Sequence, residues 1–434
     1  MYLLLNTTKN QYFSKKSKQL LTFYLSNRMK KTNLKVAALM IFGAIFIGCN
    51  DQDTLNSPSD ENAIDNESKV INNQYIITLK KGTLSQPSSR GSKRAYNSSM
   101  ETLKSEVSNK FQTLKIENDN IKATFGYALE GFVAKLTKAQ IEELKNDPRV
   151  KRIEEDYMIT LAPKKGKPGG GGGGSTPQET PWGITRVGGA ASGVGKTAWI
   201  IDSGIDLDHP DLNVDSGRSR TFVTSGKDAR SADDGNGHGS HVAGTVGALD
   251  NSTGVVGVAP GANLVALKVL DSRGSGQFSW TVQALDYVAA NGSAGDAVNM
   301  SLGPRSRYTD SAVDQATLNV ASLGINIAIA AGNSDDDCSF YSPARVNHPN
   351  VYTVSNMTIN EVLASSSNYG DPVDYAAPGT SIKSTWKGGG YNTISGTSMA
   401  SPHVCGLLLT GGVTGDGFVQ QDKDNNPDPI AVRN

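Results

Sequence analysis

The run TAWIID at residues 197–202 is apolar up to its last residue, Asp202. Helical stretches such as SWTVQALDYVAANG at 279–292 separate it from further apolar runs, which are NLVALKVL (263–270), DAVNMSL (296–302), NIAIAAGN (326–333) and NVYTVSN (350–356). Short apolar runs that alternate with helices are typical of a parallel sheet covered by helices. The sequence therefore predicts an α/β domain over residues 181–434.

Four polar residues fall where the predicted strands end and the helices begin. Asp202 and Asn333 end two of the runs, whereas His238 and Ser398 precede apolar helices. Strand ends and helix starts meet at one edge of a parallel sheet, where sites form. We therefore expect Ser398 to be a nucleophile, His238 its base and Asp202 the group that orients the imidazole, with the Asn333 amide and the Ser398 N–H binding an oxyanion.

Each of these residues also has a simpler interpretation. Ser398 precedes an apolar run in TISGTSMASPHVCGLLL (393–409), a position typical of a helix cap. Asp202 and Asn333 could occupy turns, and His238 and His241 have a spacing found in metal sites. No Glu lies between the two histidines, however, and no third ligand is evident. Because all four residues fall at strand ends or helix starts, we favour the catalytic interpretation over the simpler ones.

Residues 182–410 resemble the subtilisin-like serine proteases, in the branch that includes proteinase K. The motifs that carry the resemblance are IIDSGI (200–205), GHGSHVAGT (237–245), SLG (301–303), AAGN (330–333) and GTSMASPHV (396–404). The resemblance implies a three-layer fold with helices on both faces of the sheet, and peptide hydrolysis through an acyl-enzyme. The chain departs from the family at Ser240, where Thr is usual, and at Pro304, where a second Gly is usual.

The resemblance also implies a substrate groove. RGSGQF (273–278) matches the edge segment on which a substrate lies as an added strand, so Gly274, Ser275 and Gly276 would bind its main chain. The walls of the pocket for the residue before the scissile bond would be formed by Ser301, Leu302, Gly303, Ala331 and Gly332. Small residues there imply a broad preference for apolar or aromatic side chains.

A structural calcium ion is implied by the same resemblance. The carbonyl groups of Pro349 and Val351 and the carboxylate of Asp374 match the ligands of relatives, and these oxygen types suit calcium. The alternative is that Asp374 only caps a turn. Cys338 matches a position that is bridged in several relatives, but Pro372 occupies the partner position, so we expect a free thiol. We expect Cys405 to be a small core residue.

Residues 73–162 are predicted to form a second, smaller domain. Their strands and helices follow the order β-α-β-β-α-β, which fits an α+β ferredoxin-like fold. This unit resembles the propeptide that chaperones and inhibits subtilisin-like proteases, so the chain's own propeptide is an expected intramolecular partner. The glycine-rich residues 163–180 are predicted to be a flexible linker. We therefore expect a self-processed precursor.

The first 49 residues are interpreted as a leader with an export signal. A basic start after Met29, an apolar run over 36–47 and Gly48-Cys49 follow one another, and FIGC resembles a bacterial lipoprotein box. We expect translation to start at Met29 and Cys49 to be lipidated; ordinary secretion with Cys49 removed is the alternative. Residues 50–72 would be a polar tether. The protein would then be extracellular or in a bacterial cell envelope, contacting the membrane only through its lipid.

Charge and composition exclude other classes of function. From Pro177 onward the chain has 15 Lys and Arg against 25 Asp and Glu, a net charge of −10, which argues against a nucleic-acid partner. AASGVGKT (190–197) nearly matches a phosphate-binding loop, but a strand rather than a helix follows it. We expect a monomer whose polar C-terminus is a solvated tail. The rival hypothesis is a surface lipoprotein that binds protein without catalysis.

Overall fold

The computed structural model describes residues 70–87, 90–161 and 177–434. The export signal, Cys49, residues 50–69 of the predicted tether and residues 163–176 of the predicted linker lie outside these ranges. Among the described helices, none is both long enough and apolar enough to cross a membrane.

The N-terminal domain has the predicted β-α-β-β-α-β order. Its elements are β1 (Val70–Leu79), α1 (Lys93–Lys110), β2 (Ile121–Phe125), β3 (Gly131–Lys135), α2 (Lys138–Lys145) and β4 (Val150–Thr160). The strands form an antiparallel sheet in the order β2-β3-β1-β4. β1 begins three residues before the predicted start at residue 73, and Val70 pairs with Tyr157. Residues 70–72 of the predicted tether therefore belong to β1.

The C-terminal domain is the predicted α/β domain. Its elements are α3 (Trp182–Arg186), β5 (Thr197–Asp202), β6 (Arg220–Thr221), α4 (His238–Gly247), β7 (Asn263–Lys268), β8 (Ser275–Gln277), α5 (Phe278–Asn291), β9 (Ala297–Met300), α6 (Ser311–Ala321), β10 (Asn326–Ala330), β11 (Val351–Met357), β12 (Val373–Pro378), β13 (Ile382–Trp386), β14 (Gly390–Ile394), α7 (Thr397–Leu409), β15 (Val413–Phe418) and β16 (Pro429–Arg433). Nine strands form the main sheet in the order β15-β16-β12-β11-β10-β9-β5-β7-β6.

The central strand β5 shows why the sheet is covered on both faces. Ala198 and Ile200 belong to one apolar core with residues of α4 and α7. Trp199 and Ile201 belong to the other core with residues of α5 and α6. Successive side chains of a strand point to opposite faces, so a run that is apolar throughout requires a helical layer on each side. The three-layer prediction is confirmed.

The N-terminal domain contacts the helical layer formed by α5 and α6. Ile76, Phe125 and Ile159 of its sheet share an apolar core with residues of α5. The buried Asp286 carboxylate of α5 accepts hydrogen bonds from the backbone N–H groups of residues 126, 127 and 128, at 3.1, 2.7 and 2.7 Å. The N-terminal domain therefore binds through both apolar burial and a buried carboxylate.

Two predictions about the ends of the catalytic domain are wrong. The C-terminus is not a solvated tail: β15 and β16 form a hairpin, Ile430 is buried and pairs with Ala376 of β12, and Asp428 accepts a hydrogen bond from Ser355 Oγ at 2.5 Å. The last residues of the predicted linker also belong to the fold, because Pro177 and Glu179 form bridges with Thr253 and Val255.

Candidate active site

Asp202 and His238 are in direct contact at the predicted sheet edge. Asp202 is the last residue of β5, and His238 is the first residue of α4. The His238 Nδ1 atom lies 2.8 and 3.0 Å from the two carboxylate oxygens of Asp202, and both side chains are buried. A carboxylate on Nδ1 favours the tautomer with its proton there, which leaves Nε2 as the basic nitrogen.

A second buried acid, Asp234, holds the start of α4, and the sequence interpretation missed it. Its carboxylate accepts hydrogen bonds of 2.7–2.9 Å from Ser203 Oγ, the Ser240 hydroxyl and the backbone N–H groups of Asn236, Gly237 and Ser240. Ser203 follows Asp202, so Asp234 links the strand end and the helix start that carry the Asp–His pair. The available signal was an acid four residues before the histidine in DGNGH.

The substitution at Ser240 keeps this network intact. The Ser240 hydroxyl donates to Asp234 Oδ2 at 2.7 Å and accepts from the backbone N–H of Asp206 at 2.9 Å. Both bonds need only a hydroxyl group, so serine can replace the usual threonine here.

Ser398 lies in the first turn of α7 and does not cap it. The residue before the helix is Gly396, with a φ of 147°, and it has no side chain to accept a hydrogen bond. The Ser398 hydroxyl instead donates to the carbonyl oxygen of Ser301 at 3.3 Å. Among the described residues no hydrogen bond joins Ser398 to His238, although their helices share one core. Catalytic hydrogen bonds are often formed only when a substrate is bound.

Asn333 is oriented by the helix that carries Ser398. Its Oδ1 atom accepts a hydrogen bond from the backbone N–H of Thr397 at 2.9 Å. The Thr397 hydroxyl accepts from the backbone N–H of Gly332 at 3.2 Å, which ties the end of β10 to the start of α7. Because Oδ1 is occupied, the amide donor Nδ2 is the atom left to face a ligand. Asn333 and Ser398 line the same cavity.

The segment 274–276 forms the predicted edge of the substrate groove. Strand β8 pairs antiparallel with the end of β4, with Ile159 opposite Gly276 and Thr160 opposite Ser275. The Leu161 N–H then donates to the carbonyl oxygen of Gly274 at 2.9 Å. The end of the N-terminal domain thus lies on this edge as an added strand, and Ile159 is fully buried there.

A cavity of about 260 Å³ opens beside Ser398 where this strand ends. Its walls are residues 301–305 and 330–334, which include all five predicted pocket residues: Ser301, Leu302, Gly303, Ala331 and Gly332. Tyr341, Ser342 and Ala344 also line the cavity, together with Thr397 and Ser398 of α7 and with Thr160 and Leu161 at the end of the added strand.

Two of the predicted calcium ligands lie on neighbouring strands, and Pro349 lies in the turn before the first of them. Val351 begins β11 and Asp374 lies on β12, and Asp374 Oδ2 accepts a hydrogen bond from the backbone N–H of Thr353 at 2.8 Å. The carboxylate is therefore next to the start of β11. Burial raises the pKa of Asp374 to about 6, which a nearby cation would reverse. These oxygen donors fit the chemistry of calcium.

The remaining alternatives are settled by individual contacts. His241 is buried, its Nε2 atom lies 2.9 Å from the carbonyl oxygen of Ile382, and burial lowers its pKa to about 3. The described residues contain no cluster of three or more His, Cys, Asp or Glu suited to a metal ion. Thr197, the last residue of the apparent phosphate loop, begins a strand. Cys338 and Cys405 are buried free thiols, as predicted.

Comparison with known proteins gives two family matches. The model of the subtilase family matches residues 195–410, and that of the peptidase inhibitor I9 family matches residues 74–162. The two matches correspond to the two domains seen in the structure.

Three relatives illustrate the similarity. Alkaline serine exoprotease A of Vibrio alginolyticus is 36% identical over 71% of this chain, and the chain spans 55% of that protein's length. Subtilisin NAT of Bacillus subtilis subsp. natto is 40% identical over 63% of this chain and 68% of its own. Extracellular serine proteinase of a Thermus species is 35% identical, with 78% of this chain and 80% of its own covered.

Proposed function

Because this chain belongs to the subtilase family and is a subtilisin-like serine endopeptidase with an I9 propeptide, we propose that it hydrolyses peptide bonds through Asp202, His238 and Ser398. The observation that carries the proposal is the buried hydrogen bond between His238 Nδ1 and Asp202 at 2.8 Å. This pair lies at the edge of the sheet where strands end and helices begin, and Ser398 and Asn333 line a single cavity.

The proposed reaction has two steps. His238 Nε2 takes the proton of the Ser398 hydroxyl as its oxygen attacks the scissile carbonyl, and then gives that proton to the leaving amine. Water hydrolyses the resulting acyl-enzyme by the same route in reverse. The Asn333 Nδ2 group and the Ser398 N–H would bind the oxyanion, a preorganised arrangement that commonly supplies a large share of the rate. Asp202 stabilises the imidazolium while the proton resides on it.

The propeptide would inhibit the enzyme by occupying the groove until it is cut. Residues 158–161 lie antiparallel to β8, and Leu161 lies at the cavity beside Ser398. This position suits a strand that has the course of a substrate, so we propose that the precursor processes itself. The apolar Leu302, Ala331 and Ala344 in the cavity support a broad preference for apolar or aromatic residues before the scissile bond.

We further propose that the protein is exported. The export signal and Cys49 lie outside the described residues, and the proposal rests on the sequence pattern and on the relative named an extracellular proteinase. Lipidation of Cys49, a start at Met29, membership of the proteinase K branch and a monomeric state stay predictions.

A calcium ion held by the Pro349 and Val351 carbonyl groups and Asp374 would stabilise the start of β11. Melting of the full-length Ser398→Ala protein in millimolar calcium and in chelator tests this. Calcium at a hundredfold excess over its dissociation constant should stabilise by about 2.7 kcal/mol. Asp374→Asn should lose the response, and Asp371→Asn, at an exposed neighbour, should keep it. A response that survives in Asp374→Asn would move the site, with residues 335–337 as the next candidate.

Substitution of the nucleophile tests the proposed function. Ser398→Ala should abolish casein hydrolysis, since loss of this group costs as much as ~10⁶ in turnover. It should also leave a full-length precursor, whereas Ser366→Ala, at an exposed serine, should process normally. Casein hydrolysis by pure Ser398→Ala protein would contradict the proposal. A wild-type protein that binds casein without cutting it would favour the non-catalytic alternative.

A further inference from the structure

Arg305 lines the cavity beside Ser398. Of the described residues that line this cavity, it is the only one with a charged side chain. Its position follows the predicted pocket wall SLG and Pro304, the residue at which the sequence departs from the family pattern. Burial lowers the pKa of Arg305, but a guanidinium group remains charged at neutral pH. The described lining of the cavity therefore includes one cationic side chain.

The Arg305 side chain already contacts a chain in the groove. Its Nε atom donates a hydrogen bond to the carbonyl oxygen of Thr160 at 3.2 Å. Thr160 pairs with Ser275 of β8, and the next residue bonds Gly274. A substrate that takes this course would present the same carbonyl group to Arg305, because the contact involves the main chain and not the threonine side chain.

The backbone at Arg305 is fixed by both walls of the cavity. Ser334 Oγ, from the opposite wall, donates to the Arg305 carbonyl oxygen at 2.8 Å. Pro304 before it is buried and has a restricted φ. The side chain therefore starts from a defined point at the cavity, which a binding residue requires.

We propose that Arg305 is a substrate-binding residue that holds the substrate carbonyl group in the place of that of Thr160, and that it favours an acidic side chain in the pocket. The proposal rests on the proposed function and gives it a substrate class. Apolar walls accept the stem of glutamate as they accept leucine, and the guanidinium group then pairs with the carboxylate. A lysine of similar length would meet a like charge. The specificity is thus broad for neutral residues and asymmetric for charged ones.

Processed enzyme and four acetyl-Ala-Ala-Ala-X p-nitroanilides, with X as Glu, Gln, Phe or Lys, provide the test. Wild type should have a kcat/KM for Glu about fivefold above that for Gln, a pair that differs in charge at nearly constant shape. Arg305→Gln should bring this ratio to about one. It should also lower kcat/KM for every peptide by roughly fivefold, through loss of the carbonyl contact.

Two further variants separate charge from geometry. Arg305→Lys should keep a Glu to Gln ratio above one. Arg307→Gln makes the same charge change two residues away, where the side chain is exposed and pairs with Asp336, and should leave the ratio unchanged. A wild-type ratio of one or less, or an equal change in Arg307→Gln, would overturn the inference. Absence of hydrolysis by wild type would overturn the proposed function itself.

Discussion

The helices that carry His238 and Ser398 begin in different ways. Each begins after a glycine with a positive φ, 104° at Gly237 before α4 and 147° at Gly396 before α7. At α4 the backbone N–H groups of Asn236, Gly237 and Ser240 donate to the buried carboxylate of Asp234. The N–H groups of His238 and Gly239 donate to Asn236 Oδ1 and Ser203 Oγ. The free donors of this helix start are thereby used up inside the protein.

At α7 no carboxylate of a described residue takes this place. Thr397 donates its N–H to Asn333 Oδ1, and among the described residues none accepts from the Ser398 N–H. An open helix N-terminus attracts negative charge. One helix start is thus closed around a permanent carboxylate that holds the proposed base. The other is open to the anion that the proposed mechanism forms only during the reaction. The difference predicts that the two ends will respond differently to substitution.

Removing the closing acid should have the largest effect on folding. Asp234→Ala leaves five buried donors without their acceptor, so the free energy of unfolding should fall by roughly 3–5 kcal/mol. Urea denaturation of full-length chains in the Ser398→Ala background measures this. Asp233→Ala removes the same charge at an exposed neighbour and should change stability little. Equal stability of the two variants would mean that Asp234 does not hold this helix start.

Asn333 should affect catalysis and leave folding nearly intact. Asn333→Leu removes one oxyanion donor at the open end, which should lower kcat by roughly 10²–10³-fold. Peptide hydrolysis and circular dichroism of the processed variant measure the two properties. A loss below tenfold in a folded variant would show that Asn333 does not face the oxyanion.

A third helix start provides an effect that depends on pH. Asp310 caps α6, and Glu154 of the propeptide accepts from the N–H of Ser311 at 3.0 Å. One oxygen of each acid is buried without a hydrogen-bond partner among the described residues. Burial, and then the Glu154 charge, raise the pKa of Asp310 to about 8 from an ordinary 3.8. The start of α6 therefore has more carboxylate oxygens than hydrogen-bond donors to satisfy them.

The sign of the resulting pH dependence follows from proton uptake. Between about pH 4 and pH 8 the folded chain keeps the Asp310 proton that the unfolded chain has lost, so stability falls as the pH rises. Asp310→Asn keeps the side-chain oxygen that caps α6 and removes the loss of stability at higher pH. In the Ser398→Ala background its stability relative to that of its parent should rise between pH 5 and pH 8, by at most about 1.4 kcal/mol per pH unit. A pH-independent difference would mean that Asp310 does not titrate in this range.

The sequence predicted the parts of the molecule that rest on periodicity. Apolar runs identified the central strands. The rule that strand ends and helix starts share an edge predicted that Asp202 and His238 lie close together, and the two side chains are in contact. Ser398 and Asn333 likewise line one cavity. Local patterns were sufficient because a strand that is buried on both faces of a sheet is a continuous apolar run in the sequence.

The missed features depend on contacts that no local pattern records. The hairpin at 413–433 is polar because Asp428 bonds Ser355 and Arg433 bonds the carbonyl oxygens of residues 189 and 258, partners far away in the chain. Asp234 and Arg305 similarly acquire their roles from residues on other elements. When the hydrogen-bond partners of polar residues are far away in the chain, the sequence alone predicts that these residues are exposed to solvent.

Labelling with a serine-directed sulfonyl fluoride, followed by peptide mass mapping, tests the central claim most directly. The account predicts one sulfonyl group on Ser398 of the processed protein, and none when His238→Ala removes the base, because the hydroxyl is then not activated. Labelling of another serine, or unchanged labelling of Ser398 in His238→Ala, would contradict it.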